Sequence, residues 1–277
     1  VTEDLFSVDG RVVVVTGGLG LLGREFCRAL VARGARVAVF DLPAAPERVA
    51  ELFGDLPLGD QPLGERLRVL PVDITRRETI AAGLAEVEAA WGPPHGLVNS
   101  AAIDSPPNAP PEENGPFESY PEASWEKVMR ANVTGTFLCC QVVGGALARA
   151  GRGSIVNISS HYGLISPDQR LYEYRRAEGA DYYKPIAYST SKSALLNLTR
   201  YLATYWAPRG VRVNTLTFGG VFNNHPDEFV RGYAARTPLG RMARQGEYTG
   251  GVIFLLSDAS SYMTGANLVM DGGWTAW

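Results

Sequence analysis

Sulfur and imidazole are scarce in this chain. Of its 277 residues, three are cysteine, four methionine and three histidine. Cys139 and Cys140 are adjacent, Cys27 stands far from both, and no metal-ligand spacing occurs. A disulfide scaffold is therefore not expected, and neither is a metal. The cysteines read as small buried apolar residues, which fits a reducing cytoplasm. Positive charge is not in excess: 26 Lys and Arg stand against 29 Asp and Glu, with no basic stripe, so nucleic acid is not an expected partner. Apolar runs such as VIFLL (252–256) fall far short of the roughly 20 residues that cross a bilayer, so no membrane partner is expected. The opening VTEDLFSVDG has neither a basic start nor an apolar stretch, and a secretory leader is not expected either.

What is present is apolar and regularly punctuated. Apolar residues make up 45% and charged residues 20%, the balance of a globular chain with a sizeable core. Short β-branched runs alternate with helical patterns. RVVVVTG (11–17), RVAVFD (36–41), LRVLPVD (67–73), HGLVNSAA (95–102), GSIVNISS (153–160), VRVNTLTF (211–218) and ANLVMDGG (266–273) read as strands. Between them, residues 23–34, 47–56, 75–92, 124–151, 187–210 and 247–257 read as helices. The helix at 75 carries a capping-box signature, Thr75 with Glu78. Loops rich in proline are expected at 57–65 and 105–121. Strand, helix, strand in repetition means parallel strands joined by crossovers, and strands covered on both faces should be continuously apolar, as these are. No linker or internal repeat divides the chain. The expectation is one α/β domain over 1–277, a doubly wound parallel sheet of about seven strands with helices on both faces.

Two motifs carry chemistry. In TGGLGLLG (16–23), Gly17, Gly20 and Gly23 sit at a strand-to-helix turn. A tight turn, close approach of backbone to a pyrophosphate and a helix N-terminus that attracts the anion all ask for glycine there. Asp41 ends the second strand eighteen residues beyond Gly23, where a carboxylate accepts hydrogen bonds from an adenosine ribose and repels a 2′-phosphate. No Arg or Lys follows it directly, so NAD rather than NADP is the expected cofactor. In YSTSK (188–192), Tyr188 and Lys192 lie four apart, on one helix face. A free phenol is too weakly acidic to serve as a base at neutral pH, and an adjacent ammonium favours the phenolate. Ser160 is placed to hold a substrate oxygen.

At these residues the chain resembles the short-chain dehydrogenase/reductase family, over nearly its whole length. The resemblance rests on TGGLGLLG (16–23), VD (72–73), NSAA (99–102), NVTG (132–135), NISSHYG (157–163), YSTSK (188–192) and SSYMTGANLVMDGG (260–273). It implies that Tyr188 is the general acid/base, that Lys192 lowers its pKa and holds the nicotinamide ribose, that Ser160 rather than Ser159 binds the reacting oxygen, and that Asn132 supports a water chain to Lys192. It implies NAD contacts along Gly17, Gly20, Leu21, Leu22, Gly23, Asp41 and Leu42, then Asp73, Ile74, Asn99, Ser100 and Ala101, and after the sixth strand Gly219, Val221 and Asn223. It also implies a homotetramer, or at least a homodimer. Leu21 stands where the family's middle glycine is usual, and Phe218-Gly219 replaces a Pro-Gly.

Tyr188 stands twenty-eight residues after Ser160, further than the family's usual spacing. Residues 166–185, SPDQRLYEYRRAEGADYYKP, therefore read as an insertion at the mouth of the site. Its Asp168, Gln169, Arg170 and Tyr172, with His161 beside Ser160, are the candidate substrate contacts, and a loop so polar is not expected to fill a core. Two readings stay open at three places. The insertion either meets substrate or pairs subunits. His161 either meets substrate or is a hydrogen-bonded core histidine. NNHPD (223–227) is either a substrate loop or a turn and helix cap. Trp274 and Trp277 are expected in a subunit interface. The resemblance points to an NAD-dependent dehydrogenase or reductase of a small polyhydroxylated alcohol: a sugar, sugar acid, cyclitol or nucleoside-like compound. The rival readings are a 3-oxoacyl thioester reductase, an idle NAD-binding scaffold, and an epimerase or dehydratase.

Overall fold

The computed structural model describes residues 4–56, 63–104, 111–177, 179 and 182–277. Residues 57–62 and 105–110 of the two expected loops, and part of the insertion, lie outside the described residues. Seven strands form one parallel sheet: β1 (Val12–Thr16), β2 (Arg36–Asp41), β3 (Leu67–Pro71), β4 (Gly96–Asn99), β5 (Gly153–Ser160), β6 (Val211–Phe218) and β7 (Asn267–Met270). Their order is β3-β2-β1-β4-β5-β6-β7. Besides a single helical turn at Leu63–Arg66, the helices among the described residues are α1 (Gly23–Ala32), α2 (Pro46–Phe53), α3 (Arg77–Trp91), α4 (Glu122–Arg149), α5 (Glu173–Ala177), α6 (Ile186–Trp206), α7 (Asp227–Ala234) and α8 (Thr249–Leu256).

Why the sheet is doubly wound is visible in β1. Its side chains alternate faces, and every one of VVVVT is buried. Val13 and Val15 pack into a core with Phe26 and Leu30 of α1 and Val252 to Leu256 of α8. Val12 and Val14 pack into the opposite core with Ile80 and Val87 of α3, Cys140 and Leu147 of α4, and Trp206 of α6. All three cysteines are buried in these cores. Helix α4 is long and apolar enough to match a membrane span by composition, but 67% of that stretch is buried inside the protein. Its apolar character is that of a core helix.

Two local expectations change. The Thr75–Glu78 capping box does not form. Thr75 instead gives both its backbone N–H and its hydroxyl to Asp73 Oδ1, each at 2.8 Å. The carboxylate two residues earlier is the stronger acceptor and turns the chain before α3 begins. Helix α4 also widens to π-type turns at Arg130–Gly135 and Cys140–Gly144. The first of these holds Asn132. Such wide turns often mark functional sites.

The strand order reverses between β1 and β4, and the crevice at the C-terminal strand ends beside such a reversal is where α/β sheets bind ligands. Thr16, Asp41, Asn99, Ser160 and Phe218 are the last residues of five neighbouring strands.

Candidate active site

A cleft of about 690 Å³ runs along these strand ends. At one end it is lined by the glycine loop and Asp41, in the middle by Asp73, Ile74, Ser100 and Ala101, and at the far end by Ile158, Tyr188, Lys192 and Phe218. The loop's shape is fixed by two close approaches. Gly17 has a φ of +66°, and a Cβ there would lie 2.6 Å from Ala101 Cα. A Cβ on Gly23, the first residue of α1, would lie 2.1 Å from the Gly17 carbonyl oxygen. Asp41 buttresses the loop, accepting from the backbone N–H of Leu19 at 2.9 Å and of Leu42 at 2.8 Å. Thr16 Oγ1 accepts from the backbone N–H groups of Ser100 and Ala101, both at 3.1 Å, and so joins the two walls. A bare glycine backbone at a helix N-terminus, a carboxylate at the end of β2 and an elongated cleft fit a dinucleotide.

At the far end, α6 brings Tyr188 and Lys192 to the end of β5. Ser160 is hydrogen-bonded to Tyr188 and accepts from the Tyr162 N–H at 3.2 Å. Ser159 points the other way, as strand alternation requires, and donates to the Lys192 carbonyl at 2.9 Å. Lys192 Nζ donates to the Ile158 carbonyl at 3.0 Å and lies 5.7 Å from the Tyr188 ring centre. Burial lowers the Lys192 pKa to about 8, opposed by the charge of Asp104. The Tyr188 phenol is pushed up rather than down: burial dominates, Asp104 adds to it, and the Ser160 hydrogen bond opposes. The lowering by Lys192 expected from the sequence is not present in this arrangement, because the ammonium is turned to a carbonyl.

Asn132 acts as a clamp. Its Oδ1 accepts from the Ile103 N–H at 2.7 Å, and its Nδ2 donates to the Ile103 carbonyl and to Ser191 Oγ, each at 2.9 Å. It ties the segment after β4 to α6, and its amide is fully engaged by protein groups.

Of the expected cofactor residues, four lie off the cleft lining. Asn99 is buried and donates to Asn157 Oδ1 at 2.8 Å, bracing β4 against β5. Gly219 donates to the Met270 carbonyl at 3.2 Å, Val221 pairs with Ala243, and Asn223 donates to His225 Nδ1 at 3.2 Å. These three belong to a strap after β6, and its NNHPD is, of the two readings left open, the turn that leads into α7. Phe218, not anticipated as a contact, lines the cleft and stacks on Tyr248 at 4.5 Å.

The candidate substrate contacts are also redistributed. Among the described residues, none of His161, Asp168, Gln169, Arg170 and Tyr172 lines the cleft. Leu171 and Tyr172 are buried with Phe229, Tyr233, Met242 and Trp274 in a small separate core, so this polar insertion does fill a core after all. It can do so because its polar groups satisfy one another. Asp168 accepts from the exposed Arg170 at 2.9 Å and from Arg236 at 2.6 Å. Arg176 donates to the carbonyls of Tyr182 and Gln169. Trp274 stacks on Tyr233 at 4.4 Å within its own chain, while Trp277 is exposed. His161 is buried between Tyr162 and Trp274; burial lowers its pKa to about 4, and its Nε2 has no partner among the described residues.

The insertion does place one group at Tyr188. Lys184 Nζ lies 5.0 Å from the Tyr188 ring centre and 2.5 Å from Asp104 Oδ1. Sequence reading missed both residues. The available signal was position: Lys184 precedes Tyr188 by four residues, and Asp104 closes the NSAA segment by two.

The chain belongs to the short-chain dehydrogenase/reductase family, and it is an oxidoreductase. A family model described as enoyl-(acyl carrier protein) reductase matches residues 20–275. Galactitol 2-dehydrogenase (L-tagatose-forming) of Cereibacter sphaeroides is 36% identical over 281 residues, covering 99% of this chain and 98% of its own length. A short chain dehydrogenase from Leptospira borgpetersenii serovar Hardjo-bovis, solved with bound NAD+, is 31% identical with a TM-score of 0.82, covering 99% and 97% of the two chains. A gluconate 5-dehydrogenase from Burkholderia cenocepacia J2315, solved with NADP and tartrate, is 26% identical with a TM-score of 0.82, covering 99% and 98%. These relatives support a nicotinamide dinucleotide as the cofactor class.

Proposed function

We propose that the protein is an NAD-dependent dehydrogenase that interconverts a secondary alcohol and a ketone on a small polyhydroxylated substrate. The observation that carries this reading is the convergence of Tyr188 and Lys192 at one end of a cleft whose other end is guarded by Asp41, with Ser160 buried just behind the lining as a partner of Tyr188. A bound nicotinamide supplies the hydride acceptor or donor. The chain's own residues handle the proton and the position. Ser160 holds the reacting oxygen beside the Tyr188 hydroxyl. In the reducing direction the neutral phenol, stabilised by its burial, donates its proton to the ketone oxygen as the alcohol forms. In the oxidising direction the phenolate takes the hydroxyl proton and becomes the phenol, and Lys192 favours the phenolate when its ammonium faces the ring rather than the Ile158 carbonyl. Asp41 presents a carboxylate where NADP carries its extra phosphate, which favours NAD by charge repulsion. Galactitol and gluconate, the compounds named for two relatives, share the polyhydroxylated chain assigned here.

Tyr188→Phe tests the mechanism. It should reduce kcat by roughly 10²-fold or more, the usual contribution of a positioned acid/base, with NADH affinity by fluorescence nearly unchanged. Retention of full activity would remove Tyr188 from the proton transfer.

A further inference from the structure

We propose that Lys184, held in place by Asp104, reads a hydroxyl next to the reacting carbon and makes the site select neutral polyols over simple secondary alcohols and over sugar acids. The inference rests on the polyol-dehydrogenase reading and narrows it.

Two ammonium groups flank the Tyr188 ring, Lys184 at 5.0 Å and Lys192 at 5.7 Å. They are differently engaged. Lys192 comes from α6 and donates to the Ile158 carbonyl of the sheet. Lys184 comes from the end of the insertion and meets the carboxylate of Asp104, which lines the cleft. The Lys184 side chain is only 9% exposed, whereas Asp104 is 52% exposed and lines the cleft. Asp104 is on the cleft lining and the Lys184 ammonium is paired to it, off the lining itself and 5.0 Å from the Tyr188 ring centre, so the pair is placed beside the carbon next to the one whose oxygen meets Tyr188.

The insertion is built to put it there. Gln169 grips the Lys184 backbone from both sides: its Nε2 donates to the Lys184 carbonyl at 3.1 Å, and its Oε1 accepts from the Lys184 N–H at 2.8 Å. Asp168 ties the same turn to Arg236, just beyond α7, at 2.6 Å. On the Asp104 side, Asn132 fixes Ile103, the residue before Asp104. Gln169 and Asn132 are thus positioning residues for the pair.

The charge balance of the pair states the substrate class. Lys184 and Asp104 together are neutral and present an ammonium that donates beside a carboxylate that accepts. A vicinal diol matches both, since its extra hydroxyl accepts from the ammonium and donates to the carboxylate. A monohydroxylated alcohol leaves the pair unused. A carboxylate on the neighbouring carbon can accept from Lys184 but has no proton to give Asp104, so two acceptors face each other there, an unfavourable contact of the kind that sets specificity.

The test measures kcat/KM of the purified enzyme with NAD and three probes: a hexitol such as galactitol, the monohydroxylated cyclohexanol, and the aldonate gluconate scored for oxidation at C2, where its carboxylate is on the neighbouring carbon. Lys184→Met should lower the hexitol-to-cyclohexanol ratio by about 10- to 100-fold, the range for losing a charged hydrogen bond. Lys184→Gln keeps a donor, uncharged and on a stem one bond shorter, and should retain part of the ratio. Asp104→Asn, which needs no change at Lys184, should raise the gluconate-to-galactitol ratio by roughly 10-fold or more. Unchanged ratios in these variants, including an equal loss on all three probes, would overturn the inference, because Lys184 would then act only through Tyr188. If the wild type oxidises cyclohexanol but no polyol, the underlying reading fails as well, and the two failures are told apart by the wild-type activities alone.

Discussion

A buried lysine kept for function should cost stability, and Lys192 allows the cost to be worked out. Burial lowers its pKa from 10.5 to about 8, which corresponds to about 3 kcal/mol at neutral pH. Lys192→Met keeps the aliphatic stem and removes the charge. It also leaves the Ile158 carbonyl without its 3.0 Å donor, a loss of about 1–2 kcal/mol. The variant should therefore be more stable than wild type by about 1–2 kcal/mol at pH 7, a rise of roughly 2–4 °C in Tm for a chain of this length. The sign against pH follows from the pKa in each state. The folded value lies below the unfolded one, so the unfolded chain holds more protons between about 8 and 10.5, and wild-type stability rises with pH across that window. By pH 10 the cost has fallen to under about 1 kcal/mol, and the variant should be level with wild type or less stable. Urea melts of both proteins at pH 7 and pH 10 give the comparison. A variant that is less stable at pH 7, or a difference that does not change with pH, would refute the reasoning. Activity should be lost in the same variant, so that gain of stability and loss of turnover appear together.

Asp41→Ala should raise the NADP-to-NAD ratio of kcat/KM by roughly 10-fold or more, by removing repulsion of a 2′-phosphate; a wild type that uses both cofactors equally would contradict this. Gly23→Ala should lower Tm by several degrees and weaken NADH binding, because its Cβ would meet the Gly17 oxygen at 2.1 Å, whereas Gly20→Ala, with its nearest neighbour at 3.2 Å, should be mild in Tm. Arg170→Ala should leave kcat/KM within about threefold, since the side chain is 72% exposed and its carboxylate partner Asp168 keeps Arg236. A large kinetic loss there would return Arg170 to the substrate site.

How much of this was legible depended on how local each signal is. β2, β5 and β6 coincide with the stretches read from the sequence, because strands buried on both faces are continuous apolar runs bounded by turns. The glycine loop, Asp41 and the Tyr188–Lys192 pair are local motifs whose spacing carries the geometry. The insertion was opaque because its meaning is long-range. Leu171 and Tyr172 find their apolar partners in Phe229 and Trp274, far along the chain. Its arginines looked like ligand-binding groups, but their partners, Asp168 and backbone carbonyls, lie within the insertion itself. Lys184 looked like one charge among many until Gln169 and Asp104 fixed where it points. Helix α7 was missed because NNHPD signals its start while its buried face, Phe229 and Tyr233, packs mainly against the insertion rather than the sheet.

The most direct test of the central claim is NADH formation by the purified protein from NAD and a panel of alditols and aldonates, with the product identified. The account predicts NADH formation from at least one polyhydroxylated alcohol, with the corresponding ketose or keto-acid as product and markedly less turnover with NADP. No turnover of any polyol, together with NADPH-dependent reduction of an acyl thioester, would contradict it.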